Sequence, residues 1–282
     1  MERELIRPID VRHRGHERVV CVWLIGDVLV DCGPGARLET LLEELGDVRP
    51  RALMLTHIHL DHAGAAGALV KHFPDLEVWV HERGAPHLVD PTKLLASATR
   101  LYGEEMDALW GPMLAVPEPN VHVLRGGEQL GGLEVAYTPG HASHHVSYLH
   151  RASGTAIVGD VGGVRITPSD YILAPTPPPD IDIEAWMASL DVLRAWDPRR
   201  IAVTHFGIFE DVASHLEGIA RSLETAAQRA REMTVEEFVA ATEADIDTAG
   251  DDATQAGYRL GAPPDQTYAG LVRYWSKREA LR

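Results

Sequence analysis

The chain has few of the residues that stabilise secreted proteins or mark membrane segments. Its only cysteines are Cys21 and Cys32, which cannot build a disulfide framework and are typical of a reducing compartment. No apolar run approaches the roughly 18 residues that a membrane-spanning helix requires. The first residues, 1–4, are too polar for a secretion signal. We therefore expect a cytoplasmic protein that does not bind membranes.

Basic residues are scarce relative to acidic ones. Lys and Arg total 26 against 42 Asp and Glu, so the formal net charge is −16 at pH 7. This balance repels the phosphate backbone of nucleic acids. The sequence therefore predicts a small-molecule substrate and no nucleic-acid partner. At 282 residues, the chain is long enough to bury a large core without disulfides.

Histidine, in contrast, is frequent and unevenly distributed. Three of the 15 histidines lie with one aspartate in residues 57–62. The apolar run before them, residues 52–55, predicts a buried strand, and the small residues after them predict the start of a helix. Imidazole and carboxylate groups suit zinc, iron or manganese. Because these four groups exceed what one ion usually takes from one loop, the segment predicts two ions.

Polar residues follow strand-like runs at four other places in the chain. Asp31, His141, Asp160 and His205 each come shortly after an apolar run, as the 57–62 segment does. A lone Pro-Gly-His or Gly-Asp would be weak evidence, but here they occur in order after a long and specific motif. Asp31 fits two roles equally well, a turn cap and a support for a metal ligand.

The segment 57–62 matches the His-x-His-x-Asp-His signature of the metallo-β-lactamase superfamily, and the chain resembles that family from about Asp31 to His205. The resemblance implies an α/β (α+β) fold, the four-layer αββα sandwich, with two divalent metal ions at one edge. Zinc is expected first, with iron or manganese as alternatives. By resemblance, one ion is held by His57, His59 and His141, the other is held by Asp61, His62 and His205, and Asp160 bridges them.

The resemblance also implies a hydrolase. A hydroxide shared by the two ions would attack the carbonyl carbon of a small ester, lactone or thioester, and Asp61 would give the leaving group its proton. The shared carboxylate of Asp160 disfavours the antibiotic-hydrolysing branch of the family. The pattern is closer to hydroxyacylglutathione hydrolases and acyl-homoserine lactonases. No Gly-x-Ser-x-Gly nucleophile motif is present.

Substrate-binding residues are less well marked. Tyr102 and Tyr171 are candidates because lactonases of this family use a pocket tyrosine, although each also fits a packing role. Four basic residues near the carboxyl terminus are candidates for binding the carboxylates of glutathione: Arg259, Arg273, Lys277 and Arg278.

Two other functional classes stay open at this point. Some relatives are mononuclear-iron sulfur dioxygenases that act on glutathione persulfide and use only the first metal position. A non-catalytic binding protein would keep the fold without needing an intact ligand set. The number of metal ions per chain distinguishes these alternatives from a binuclear hydrolase.

The spacing of apolar residues indicates how the chain is organised into a sandwich and a helical extension. Residues 1–208 are expected to form the sandwich, interrupted by a helical insertion at 85–118 over the mouth of the site. The insertion could line the substrate pocket, form the contact of a homodimer or simply elaborate the surface. Residues 209–282 have a helical pattern and predict an extension docked on the sandwich. Asp182 and the pair Thr234 and Glu237 predict helix amino-terminal caps.

The remaining histidines are not expected to bind metal. His144 and His145 follow His141 closely, but only the first histidine of this stretch matches a ligand of the family. His145 is expected to support His141 or to pack behind it. Three further histidines should be replaceable without loss of metal: His72, His81 and His215.

Overall fold

The structure is a computed structural model, and it describes residues 6–280. The first sheet contains β1 (Ile6–Asp10), β2 (Cys21–Ile25), β3 (Val28–Val30), β4 (Ala52–Met54), β5 (Glu77–His81) and β6 (Val121–Leu124). The second contains β7 (Gln129–Leu130), β8 (Leu133–Tyr137), β9 (Val146–His150), β10 (Thr155–Ile157), β11 (Arg200–Val203) and β12 (Gly207–Phe209). Each sheet is hydrogen-bonded in sequence order.

Both sheets mix parallel and antiparallel pairs. In the first, β1, β2 and β3 pair antiparallel, and β3 to β6 pair parallel. In the second, β10 and β11 pair parallel, and the other neighbours pair antiparallel. Parallel strands place their carboxyl ends at the same edge, so the loops after β3 and β4 lie together, as do those after β10 and β11.

The helices of the described chain lie outside the sheets. Those of the amino-terminal half are α1 (Leu38–Leu45), α2 (Leu60–Ala63), α3 (Ala66–His72), α4 (Ala85–Val89), α5 (Thr92–Tyr102) and α6 (Met106–Trp110). The later ones are α7 (Ile183–Ala195), α8 (Val212–Glu232), α9 (Val235–Asp247), α10 (Asp252–Gly261) and α11 (Pro264–Glu279). No described helix is both long enough and apolar enough to cross a membrane.

The side chains of β2 point alternately to the two faces of the first sheet, and both faces are buried. Cys21, Trp23 and Ile25 point into the core between the two sheets. Val22 and Leu24 point to the opposite face, where the amino-terminal helices cover the first sheet. Because successive side chains of a strand face opposite sides, a strand buried on both faces is apolar throughout, as β2 is.

The carboxyl-terminal helices cover the second sheet. Trp186 of α7, Leu216 of α8, Phe238 of α9 and Leu271 of α11 share one core with Ile201 of β11. The molecule therefore has four layers, with helices outside two facing sheets. The predicted αββα sandwich with a helical carboxyl-terminal extension is confirmed.

Two backbone hydrogen bonds join the sheets at one edge. The N–H of Val146 donates to the carbonyl of Thr56 at 2.8 Å, and the N–H of Cys21 donates to the carbonyl of Thr204 at 2.8 Å. Each bond ties a strand of one sheet to a loop of the other, at Thr56 two residues after β4 and at Thr204 directly after β11. The loops that carry the predicted ligands therefore start from a fixed position.

The local signals for helix starts are borne out. The Asp182 carboxylate accepts a hydrogen bond from the N–H of Ala185 at 3.0 Å, and Thr234 and Glu237 form the reciprocal capping box. Helices α4, α5 and α6 occupy the predicted insertion. Helix α10 was not predicted, because its sequence has no continuous apolar stripe.

Close packing of α11 depends on Gly270, and this generates a prediction about stability. A Cβ at residue 270 would overlap the backbone carbonyl oxygen of Thr176. The hydroxyl of Thr176 also donates a 2.9 Å hydrogen bond to the carbonyl of Thr267 on the same helix. We expect Gly270→Ala to lower the free energy of unfolding by about 1–3 kcal/mol, because the helix must move outward. Thermal unfolding measures this, with Ser276→Ala on the same helix as the control. Equal melting temperatures for Gly270→Ala and the wild type would contradict this packing.

Candidate metal centre

One group of ligand atoms lies between the loop after β4 and the loop after β8. His57 Nε2 and His141 Nε2 each lie 2.9 Å from His59 Nδ1. Asp160 Oδ2 lies 3.3 Å from His141 Nε2 and 4.0 Å from His57 Nε2. Tetrahedral ligands of one zinc ion are separated by about 3.3 Å, so these four atoms have suitable spacing for a single ion.

A second group lies beside the first. Asp61 Oδ2 is 3.4 Å from His205 Nε2 and 3.7 Å from His62 Nε2. Asp160 Oδ1 is 3.1 Å from His62 Nε2 and 3.4 Å from His205 Nε2. The structure thus brings together all seven residues that the resemblance indicated, and it divides them into the same two groups.

Asp160 belongs to both groups. Its Oδ2 faces the first group and its Oδ1 faces the second, while the residue as a whole is only 3% exposed. A carboxylate in this position can contact two cations at once. Its negative charge would offset the repulsion between two dications roughly 3.5–4 Å apart.

The hydrogen-bonding pattern fits a metal better than an empty polar core. Three buried atoms of the second group have no hydrogen-bond partner: His62 Nε2, His205 Nε2 and Asp160 Oδ1. Buried polar atoms without partners are costly in free energy, and here they converge on one point. Two imidazoles and carboxylate oxygens at that point form a donor set that suits zinc, iron or manganese.

The opposite ring nitrogens of three ligands are held by the protein. His62 Nδ1 lies 2.8 Å from Asp31 Oδ2. His141 Nδ1 bonds to the carbonyl of Pro175 at 2.8 Å, and His205 Nδ1 bonds to that of Val19 at 2.6 Å. Donation from Nδ1 leaves Nε2 with its lone pair free, which is the tautomer that a metal requires.

Asp31 contacts both ends of the 57–62 segment. Its Oδ1 accepts the N–H of Thr56 at 2.8 Å, and its Oδ2 holds His62. The residue is 1% exposed and has a left-handed backbone with φ 61°. Of the two roles that the sequence allowed, the contacts favour support of a metal ligand.

The loop that carries His141 requires a glycine. Gly140 has φ +137°, and a Cβ there would overlap the backbone of Trp186 at the start of α7. The Trp186 ring in turn packs edge-on against the His141 ring, with centroids 5.5 Å apart. The Pro-Gly-His segment therefore lets α7 approach closely and positions the ligand ring.

Burial and charge act differently on the two groups. Burial lowers the pKa of His57 well below its usual value and lowers the pKa of His59 to about 4. Burial also opposes protonation of His62, but Asp160, Asp61 and Asp31 outweigh it and raise its pKa well above the usual value. Burial thus favours the neutral form of the imidazoles in the first group, which is the form that coordinates a metal. The second attracts a positive charge, which a metal would supply in place of the proton.

A large cavity opens above both groups. It has a volume of about 1090 Å³ and exposes His59, Asp61 and Asp160 on its floor. Helices α5 and α6 of the insertion line one side, and residues 259–267 of the carboxyl-terminal helices line another. The insertion thus lies at the mouth of the site.

The two candidate tyrosines lie in different places. Tyr102 lines the cavity, and its hydroxyl lies 3.4 Å from Gln266 Oε1. Tyr171 is not among the residues that line this cavity. It packs against Tyr258, with ring centroids 5.3 Å apart, beside a separate depression near α8 and α9. The structure therefore does not bring Tyr171 to the cavity above the ligand groups, because its ring packs in the cluster that contains Tyr258.

The basic candidates are also divided. Arg259 and Arg273 line the cavity, but Arg259 is paired with Glu243 and Asp247. Lys277 donates to a backbone carbonyl at residue 179, and Arg278 pairs with Glu184. Arg273 has no carboxylate partner among the described residues, and the same is true of four cations of the cavity wall from other segments: Arg14, Arg83, Lys93 and Arg100.

Two histidines outside the proposed ligand set contact the site. The His145 ring lies 5.1 Å from that of His57 and 6.2 Å from that of His141, and its Nδ1 bonds to the hydroxyl of Thr138 at 3.0 Å. His215 bonds to the carbonyl of Gly162, two residues after Asp160, at 2.7 Å. The sequence did not indicate this contact, and replacement of His215 without loss of metal stays a prediction.

Sequence reasoning missed two residues of the cavity wall. His13 is 3% exposed and stacks on Trp110, with centroids 5.2 Å apart. His13 Nδ1 and Trp110 Nε1 are both buried without a partner. Burial lowers the pKa of His13 to about 4. The only sequence signal was the polar, arginine-rich segment around residue 13, which has no periodicity.

The position of Asp160 generates a prediction about metal content. We expect wild-type protein to hold two ions after reconstitution and Asp160→Ala to hold one at most, because the change removes a ligand from each group. Elemental analysis measures the stoichiometry. His72→Ala is the control and should hold two ions. Two ions in Asp160→Ala would contradict the shared role of this carboxylate.

Asp31 generates a second prediction. Asp31→Asn keeps the shape of the side chain but removes the charge that orients His62. We expect the affinity for one of the two ions to fall about 10–100-fold. Competition with a chromophoric chelator measures this. Asp27→Asn, which alters an exposed ion pair with Arg51, serves as the control. Unchanged affinity in Asp31→Asn would show that orientation of His62 does not depend on this contact.

Comparisons with known proteins agree with this geometry. ST1585 of Sulfurisphaera tokodaii, a metallo-beta-lactamase fold-containing protein, is 29% identical over 163 residues, which cover 55% of this chain and 60% of that protein. Hydroxyacylglutathione hydrolase GloC of Haemophilus influenzae is 32% identical over 138 residues, covering 48% of this chain and 61% of that enzyme. The aligned part thus spans about three fifths of these curated relatives.

Solved structures show the same fold. The crystal structure of ST1585 from Sulfolobus tokodaii superposes with a TM-score of 0.72 over 94% of this chain and 97% of that one, at 22% identity. TTHA1623, crystallised in a di-iron-bound form, has a TM-score of 0.53 over 72% of this chain and 93% of that one, at 28% identity. The family model of the metallo-beta-lactamase superfamily matches residues 17–205, more than half of the chain. This protein belongs to the metallo-β-lactamase superfamily.

Proposed function

We propose that this protein is a binuclear metal-dependent hydrolase of a small ester, lactone or thioester. The proposal rests mainly on the orientation of the Asp160 carboxylate, which points one oxygen at each ligand group. A single-metal enzyme would not need a buried carboxylate shared in this way. Zinc is the proposed metal, with iron or manganese as alternatives.

The ligand groups fit the chemistry of carbonyl hydrolysis. When bound, two divalent ions supply Lewis acidity and lower the pKa of bound water toward neutrality. Hydrolysis forms a bond from the water oxygen to the carbonyl carbon and breaks the bond to the leaving oxygen or sulfur, which must receive a proton. The protein's own residues then have to hold the substrate and move that proton.

Asp61 is suited to the proton transfer. Its side chain is 18% exposed and lines the cavity. Its Oδ2 atom lies 3.4 Å from His205 Nε2. Burial raises the pKa of Asp61, but the neighbouring His62 and His205 outweigh it and hold the pKa below the usual value. The low pKa keeps the group anionic, and its position beside the cavity is the reason that we propose it to accept a proton from water and pass it to the leaving group.

The cavity suits a small acyl compound. Its volume of about 1090 Å³ is slightly above the range of roughly 300–1,000 Å³ that is typical of small-molecule sites. Apolar side chains such as Leu94, Leu101 and Leu109 alternate with polar ones along its wall. An acyl chain and a polar leaving group could both be accommodated.

The relatives support this reaction class. GloC is described as a hydroxyacylglutathione hydrolase, which is a thioester hydrolase, and TTHA1623 was crystallised with two irons. We extend the reaction type and the metal count to this chain as proposals. We also propose that the protein acts in the cytoplasm, since Cys21 and Cys32 are both buried and free.

A substrate panel tests the reaction class. Metal-replete protein is assayed with an aryl ester, a homoserine lactone, a glutathione thioester, a phosphodiester and glutathione persulfide. We expect turnover of at least one of the first three. Exclusive turnover of the phosphodiester would contradict hydrolysis at a carbonyl. Oxygen consumption with the persulfide, at one iron per chain, would indicate the dioxygenase alternative.

Asp61→Asn tests the proposed proton transfer. The amide keeps an oxygen that could bind metal but cannot carry the proton. We expect kcat to fall at least about 100-fold for a substrate with a poor leaving group. The loss should be smaller for an ester with a good leaving group, which needs no proton. Metal content is measured in parallel. Equal losses for both esters at unchanged metal content would contradict this role.

A further inference from the structure

His144 lies in the cavity but is not one of the metal ligands. It is 9% exposed and lines the cavity together with His59 and Asp160. Its ring is nearly parallel to that of His57, with centroids 6.1 Å apart, and it is perpendicular to that of His59 at 5.8 Å. The side chain is therefore held against the first ligand group while it faces the space above that group.

The backbone fixes the tautomer of His144. The N–H of Ile58 donates to His144 Nδ1 at 3.4 Å, so Nδ1 is the acceptor of this contact. A neutral imidazole that accepts at one nitrogen carries its proton on the other. This leaves Nε2–H as the hydrogen-bond donor that His144 can offer to a ligand.

His144 differs from the ligands in its contacts although it lies among them. Ring nitrogens of His57 and His141 converge on His59, whereas His144 Nδ1 accepts from the backbone of Ile58.

We propose that His144 binds the substrate, and that its Nε2–H donates a hydrogen bond to the carbonyl oxygen of the acyl group as negative charge develops there. This inference rests on the proposed hydrolase function. A donor that is already oriented in a buried site stabilises such charge without reorganisation during the reaction. The site would then combine metal ligands, the proton-transferring Asp61 and a neutral donor on the wall beside the first group.

The packing argues that His144 is more than a structural residue. Its neighbour Ser143 already anchors the loop through a 2.7 Å hydrogen bond to Asp180, and the Tyr137 hydroxyl donates to the carbonyl of Ser143 at 2.9 Å. The loop conformation thus has two side-chain contacts that do not involve the imidazole. Replacing His144 should leave the loop and the ligand His141 in position.

Two variants separate the donor from the ring. His144→Phe keeps an aromatic ring beside His57 but has no donor, whereas His144→Gln removes the ring and keeps an N–H at similar reach. We expect His144→Phe to lower kcat about 100-fold at unchanged metal content and melting temperature. The kcat of His144→Gln should be at least tenfold higher than that of His144→Phe. His122→Phe is the control, since His122 of β6 stacks on Trp79 of β5 and does not line the cavity.

Each kinetic outcome decides the proposal. Loss of kcat in His144→Phe with partial recovery in His144→Gln supports it. Wild-type kcat in His144→Phe overturns it, and so does an equal loss in both variants, which would indicate a packing role. Loss of metal from His144→Phe also overturns it, because the residue would then act through the ligand groups.

A spectroscopic test works even if the wild type hydrolyses no compound in the panel. Histidine ¹H–¹⁵N correlation spectra of zinc-loaded protein report the tautomer of His144, before and after titration with acetohydroxamate as a probe. We expect the Nε2–H tautomer and a shift of its Nε2 resonance on titration. The Nδ1–H tautomer, or an unperturbed resonance, would overturn the proposal. If the spectra are as expected but no compound of the panel is hydrolysed, the proposed reaction is refuted and the role of His144 as a donor is not.

Discussion

The metal centre depends on the way the two sheets are joined at one edge. The hydrogen bonds from Val146 to Thr56 and from Cys21 to Thr204 connect the sheets one residue before His57 and His205. Ligands from different sheets can then meet within a few ångströms without a flexible linker. The same two bonds satisfy backbone groups at strand ends, where buried polar groups would otherwise lack partners.

Asp31 extends this connection to the side chains. It accepts hydrogen bonds from Thr56 at 2.8 Å, contacts His62 at 2.8 Å and lies 3.4 Å from the Thr204 hydroxyl. A single buried carboxylate therefore contacts the residues before both ligand loops and one ligand directly.

Four of the seven candidate ligands could be identified from their spacing, because they lie in the single segment 57–62. The other three, His141, Asp160 and His205, come from distant segments and were indicated by the family resemblance. Residues 57–62 follow a short buried strand, so spacing alone indicates which side chains share a loop. His144 and helix α10 depend instead on contacts between distant segments. The position of His144 follows from a hydrogen bond to Ile58, and α10 forms around Gly257, whose missing Cβ admits Ile166. No periodicity in the sequence reports such contacts, and the packing of Tyr171 against Tyr258 is of the same kind.

The floor and the walls of the cavity differ in how firmly they are held. The ligands of the floor are buried and bonded on their far sides, as His141 is to Pro175 and His205 is to Val19. Helix α5 of the wall has no fully buried residue, and Leu101 is 36% exposed. Elements with few buried contacts open at lower free-energy cost than a packed core. We therefore expect the floor to determine the reaction and the insertion to determine which acyl compounds reach it.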